Sequence, residues 1–246
     1  MKISILTTFP AIFDSFLGES ILGRAISQSL LTVETVDIRA FSLRKHKNTD
    51  DTPYGGGAGM VMLAQPILDA MAHVAPAGEA ARRVYLSPRG KTWTQNMAED
   101  FASETHIVLL CGHYEGVDQR AIDLCIDEEV SIGDYVLTGG EVAALVMIDS
   151  IARLLPGVLG CSDSPMDESF SSGLLEYPQY TRPRELAGLC VPDVLVGGNH
   201  AEINAWRREQ ALRVTFERRP ELLDTAALTQ KEKQRIESWR EDTTNA

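Results

Sequence analysis

Short runs of β-branched and apolar residues recur along the first part of this chain, at 3–7, 32–38, 84–87, 107–111 and 126–131, each of strand length. Between them the apolar spacing changes to a helical period. Ser20 is placed to cap a helix running to about residue 30, Pro66 to open one through about residue 74, and 94–102 fits a third. Glu141 starts a longer apolar helix reaching about residue 155, where Pro156-Gly157 stops it. Parallel strands need helical crossovers, so this alternation predicts an α/β fold: a mainly parallel sheet flanked by helices.

The pattern then breaks. Residues 160–176 carry no Lys or Arg, are rich in Ser and Gly, and contain Asp163, Asp167, Glu168 and Glu176. That composition marks a mobile connection. From 177 onward 11 of 70 residues are Lys or Arg, with helical patterns at 201–216 and 229–240. The expected organisation is an α/β domain over 1–160, a linker over 161–176 and a small helical domain over 177–246. No stretch approaches the roughly 18 apolar residues of a membrane helix, and the first ten residues are too short an apolar run for a signal peptide. A cytoplasmic protein with no membrane partner is expected. Cys111, Cys125, Cys161 and Cys190 form no CxxC pair and no zinc spacing, so they are expected to be reduced, mostly buried thiols, and no metal site is readable.

Four segments stand out as carriers of chemistry. Asp50-Asp51-Thr52-Pro53-Tyr54-Gly55-Gly56-Gly57-Ala58-Gly59-Met60 packs four glycines into five positions, yet lacks the Lys of a P-loop and the spacing of a dinucleotide fingerprint. It reads as a shaped binding loop, with a plain surface turn as the alternative. Three further turns follow strands: Tyr85-Leu86-Ser87-Pro88-Arg89-Gly90, Cys111-Gly112-His113-Tyr114-Glu115-Gly116-Val117-Asp118, and the stretch from Ser131 through Gly139-Gly140-Glu141. Parallel sheets bind ligands at the carboxyl ends of their strands, so three such turns predict one composite pocket. His113 alone reads as a structural or solvated histidine. Arg153 either caps its helix or aims at developing negative charge; Asp167-Glu168 is either a solvated pair or the place of a general base. Patterns of serine hydrolases, zinc peptidases and EF-hands are absent.

Taken in order, these motifs, together with Pro156-Gly157-Val158-Leu159-Gly160 and Gly198-Asn199-His200-Ala201-Glu202-Ile203, closely resemble the bacterial TrmD family, the tRNA (guanine-N1)-methyltransferases of the SPOUT class. The resemblance covers nearly the whole chain. It implies methyl transfer from S-adenosylmethionine to N1 of guanine 37, beside the anticodon. It also implies a trefoil-knotted first domain, a homodimer with the active site at the subunit interface, a tRNA-holding helical domain and assistance by Mg²⁺, for which no site is readable. By motif, the donor pocket maps to Tyr85, Leu86, Ser87 and Pro88, then to Gly112, Tyr114 and Glu115. Its third wall maps to Ile132, Gly133, Asp134, Tyr135, Val136 and Leu137, with Gly139 and Gly140. The family arginine that stabilises O6 matches Arg153, in Asp149-Ser150-Ile151-Ala152-Arg153. The family's base position, an Asp before Ser-Phe, falls on Glu168, with Asp167 beside it as the second candidate. Gln179 stands where the family pattern has His. Rival functions are a SPOUT enzyme for another RNA site and, from a different class, a nucleotide-phosphate binding protein.

The charge of −12 argues at first sight against a polyanionic partner. Its distribution changes the argument. Residues 111–176 hold 2 Lys+Arg against 13 Asp+Glu, whereas 38–49 hold four cations and no acid, and 177–219 hold seven cations and five acids. Arg182, Arg184, Arg207 and Arg208 are therefore the expected phosphate contacts.

Overall fold

The computed structural model describes residues 1–159 and 168–244. They fall into two compact units, divided between residues 162 and 163. In the first, β1 (Lys2–Thr7), β2 (Thr32–Asp37), β5 (Arg82–Thr92), β6 (His106–Cys111) and β7 (Glu128–Ser131) form one sheet in the order β2-β1-β6-β5-β7. Every pairing in it is parallel. A two-stranded antiparallel ladder joins β3 (Asp50–Asp51) to β4 (Val61–Met62).

Both faces of the sheet are covered, which is why β6 reads as an unbroken apolar run. Alternate side chains go to opposite layers. Ile3, Ile5, Ile107 and Leu109 pack with α2 (Ser20–Ser27), which follows the short α1 (Asp14–Gly18), and with α4 (Gln95–Ala102) and α6 (Glu141–Ala152). Leu6, Val108 and Leu110 pack with α3 (Ala64–Val74) and α5 (Gln119–Cys125). Because the strands are parallel, β6 and β7 lead at the same edge into two of the segments described above, and the third, 85–90, lies within β5 beside them.

Several local expectations need correction. Ser20 does not cap α2. It is the first helical residue, at φ 54°, after Glu19, whose side chain makes no capping bond. The helix stops at Ser27 because Ser29 turns to φ 59°. The helix that starts at Glu141 ends at Ala152 rather than near 155, because the Leu154 and Leu155 N–H groups turn to the carbonyls three residues back, on Ile151 and Ala152. The stretch after Tyr85 is not a turn that follows a strand but part of one: β5 shifts register between Leu86 and Lys91 and resumes pairing at Lys91 and Thr92. Pro88 has no N–H for the ladder, so the strand bulges there and continues. Only Cys111 is buried among the described cysteines; Cys125 is half-buried and Cys190 exposed, while Cys161 lies outside the described residues. Burial raises the Cys111 thiol and pushes Cys125 up to about 11, so both keep their protons.

The second unit is built on α7 (His200–Arg218) and α8 (Gln230–Thr244), with a small hairpin of β8 (Glu185–Leu186) and β9 (Leu189–Cys190). Leu174, Leu212, Leu223 and Ile236 form its core, flanked by Tyr177, Phe216 and Trp239. A capping box starts α8: Glu232 N–H donates to Thr229 Oγ1 at 3.3 Å, while Thr229 N–H donates to Glu232 Oε2 at 2.7 Å.

Candidate active site

The three segments at the sheet edge enclose one cavity of about 370 Å³ in the first unit. From β5 come Tyr85, Leu86, Ser87 and Pro88; from the turn after β6 come Gly112, Tyr114 and Glu115; from the turn before α6 come Ile132, Gly133, Tyr135, Val136, Leu137, Gly139 and Gly140. Asp134 sits exposed on the last turn and is not part of the lining. Arg89, His113 and Gln119 line the cavity without having been expected there. Arg89 and Gln119 touch at 3.5 Å, and Arg89 pairs with Glu129 at 3.3 Å. The bulge at Pro88 is the signal that would have found Arg89, because a strand that continues past it carries residue 89 along the same rim.

The glycine-rich loop is tied to this cavity at one end. Glu115 N–H donates to Met60 O at 3.0 Å, Met62 N–H to Gly116 O at 2.9 Å and Asp118 N–H to Met62 O at 2.9 Å. These bonds lay β4 along the back of the second wall. The other end of the loop projects, with Tyr54 fully exposed.

The lining has the chemistry that a cationic, adenine-bearing methyl donor needs. Leu86, Val130, Ile132, Leu137 and Ala143 offer an apolar shelf for a flat base, and the Glu115 carboxylate suits a sulfonium. Burial raises the pKa of Tyr85, so its hydroxyl stays a neutral hydrogen-bonding group. Tyr114, Tyr135 and Val136 are largely exposed around the mouth. For a metal the fit is absent: among the described residues no group of three or more His, Cys, Asp or Glu side chains converges.

Arg153 is the C-cap residue of α6, its N–H donating to Asp149 O at 3.3 Å. Glu168 belongs to the second unit and lines a separate cavity of about 310 Å³ with Tyr177, Asn204, Arg207 and Arg208. Asp167 lies outside the described residues. Arg207 stacks over Tyr177 at 5.0 Å, and its buried Nε has no hydrogen-bond partner. Arg208 is already engaged, donating to Glu232 at 2.6 Å and to Ala227 O at 3.1 Å, and Arg184 pairs with Asp193 at 2.7 Å. Arg182 is exposed, ahead of a cis bond to Pro183.

Comparison with known proteins agrees with this architecture. The family described as tRNA (Guanine-1)-methyltransferase TrmD matches residues 1–225. A tRNA (guanine-N(1)-)-methyltransferase of Geobacillus kaustophilus is 53% identical over 242 residues, covering 98% of this chain and 99% of the relative. One from Symbiobacterium thermophilum is 54% identical over 244 residues, covering 98% of each. A third, from Staphylococcus carnosus, is 50% identical over 240 residues, again covering 98% of each. Identity of this extent across both units places the chain in one family: it belongs to the TrmD tRNA (guanine-N1)-methyltransferases.

Proposed function

We propose that this enzyme transfers a methyl group from S-adenosylmethionine to N1 of guanine at position 37 of tRNA. The observation that carries the reading is the cavity assembled at the carboxyl edge of the sheet from the bulged stretch of β5, the turn after β6 and the turn before α6. When bound, the donor supplies an electrophilic methyl group on a cationic sulfur. The chain's residues do the rest. Leu86, Ile132 and Leu137 hold the adenine, and Glu115 favours the positive charge of the donor over its neutral product. Guanine N1 bears a proton at neutral pH and is a poor nucleophile until that proton leaves. In our reading Glu168 accepts it, with Asp167 as the alternative base, and the Arg153 guanidinium stabilises the charge that develops on O6.

The same reading assigns residues 1–160 to donor binding within a trefoil knot, 161–176 to the connection and 177–246 to holding tRNA through Arg182, Arg184, Arg207 and Arg208. It takes the enzyme to be a cytoplasmic homodimer whose active sites lie at the subunit interface. Exposed apolar side chains support this: Val136 is 85% exposed, and Val142 and Val146 leave one side of α6 uncovered in the single chain. No helix of the described residues is long and apolar enough to cross a membrane. The Mg²⁺ assistance that the family implies has no converging set of protein ligands among the described residues, and no step here depends on it. Transfer of labelled methyl to a transcript with guanine 37, but not to one with adenine 37, tests the proposal.

A further inference from the structure

Behind the donor cavity lies a buried carboxylate that the proposed chemistry does not use. Glu141, the first residue of α6, is 2% exposed. Thr7, at the end of β1, donates its hydroxyl to Glu141 Oε1 at 2.7 Å. His113 Nε2 lies 3.1 Å from Oε2. A carboxylate offers only lone pairs there, so Nε2 carries the proton that joins them. The imidazole is held from the other side by the Phe9 ring at 4.6 Å, and Phe9 N–H donates to the same Thr7 hydroxyl at 2.9 Å.

This cluster spans the seam between two walls of the cavity. His113 and Gly139 pair as an isolated antiparallel bridge, and Gly140 N–H donates to Gly112 O at 2.9 Å. The seam closes only because residue 139 has no side chain: a Cβ there would strike both His113 Nε2 and Glu141 Oε2. Glu141 itself does not line the cavity, whereas His113 does. Both of its oxygens are already engaged, which leaves it unsuited to proton transfer and suited to holding geometry.

We infer that Glu141, acting through His113 and Thr7, is a positioning residue that sets the spacing between the second and third walls of the methyl-donor cavity. The inference rests on the reading of that cavity as the adenosylmethionine site. Glu141→Gln keeps shape but replaces two charge-assisted ties with neutral ones, its amide N–H finding an acceptor only if the Thr7 hydroxyl or the His113 tautomer turns. The expected result is a rise of about tenfold in donor KM and in the Kd for adenosylmethionine by calorimetry. At saturating donor, kcat and the KM for tRNA stay within about twofold. His113→Ala raises the donor KM and Kd as well, and His113→Gln, which retains a donor, recovers most of the loss. Thr7→Val, which removes a single tie, gives a smaller rise in donor KM and serves if Glu141→Gln does not fold. Unchanged donor Kd in folded Glu141→Gln, or in both His113→Ala and Thr7→Val, overturns the inference. Failure of the wild-type enzyme to bind adenosylmethionine at all would instead overturn the reading of the cavity.

Discussion

Replacing Gly112 with Ala is a direct probe of how tightly the donor cavity is built. The new Cβ would lie 2.8 Å from both Cε2 and Oη of Tyr85 and 3.3 Å from its Cζ. Carbon atoms rest at about 3.5–4.0 Å, so the ring must retreat by about 1 Å. Tyr85 is 6% exposed and forms part of the cavity wall, so the retreat either narrows the cavity or displaces β5. Overpacking of this kind costs about 1–3 kcal/mol. At roughly 2–4 °C per kcal/mol for a protein of this size, the thermal midpoint falls by a few degrees or more. Donor affinity should fall at least about tenfold, equivalent to ~1.4 kcal/mol. Calorimetric titration with adenosylmethionine and thermal melts of the same variant read both. Gly18→Ala is the control, because nothing lies within 4 Å of a Cβ there. Wild-type donor affinity in Gly112→Ala, or an equal loss in Gly18→Ala, would refute the reasoning.

Other consequences follow from the second unit and the base. Single-turnover methylation by Glu168→Gln should drop by two orders of magnitude or more, in keeping with loss of a general base; near wild-type rates, with Asp167→Asn inactive, would reverse the assignment. Arg208 and the Thr229 cap hold the Glu232 carboxyl down at about 2, against 4.5 unperturbed. Its contribution to stability is therefore complete above pH 4.5 and lost as the pH falls toward 2. Because Arg208 is more than a third exposed, screening limits the contribution to about 1 kcal/mol. Melts of Glu232→Gln should lie below wild type at pH 7 and converge with it only near pH 2, whereas a gap that ignores pH would contradict the pairing. Arg184 and Arg208 are each engaged with an acid. tRNA binding should accordingly be modest, with a log–log salt slope shallower than about −3 by filter binding; a steep slope would mean many more phosphate contacts.

Much of the first unit was legible because burial on both faces writes strands as apolar runs, as in residues 107–111. The composite cavity was legible for a related reason: Gly112, Gly139 and Gly140 mark places where chain segments approach closely. Pro88 misled, since a proline inside a strand looks like its end when the bulge around it cannot be seen. Ser20 misled because a capping residue type says nothing about the φ it must adopt. The short α5 went unnoticed, its seven residues too few to show a period. His113 reads as structural or solvated from the sequence, because its partner Glu141, 28 residues away, cannot be paired with it without the fold. Arg153 and Glu168 look ordinary in the sequence, and their proposed roles rest on motif likeness to the family.

The central claim concerns one atom of one nucleotide, and transfer of labelled methyl tests it most directly. Incubation of the enzyme and labelled adenosylmethionine with a tRNA transcript carrying guanine 37 should yield 1-methylguanosine on digestion, and the adenine 37 transcript should take up no label. Equal incorporation into both transcripts, or a labelled product other than 1-methylguanosine, would contradict the account.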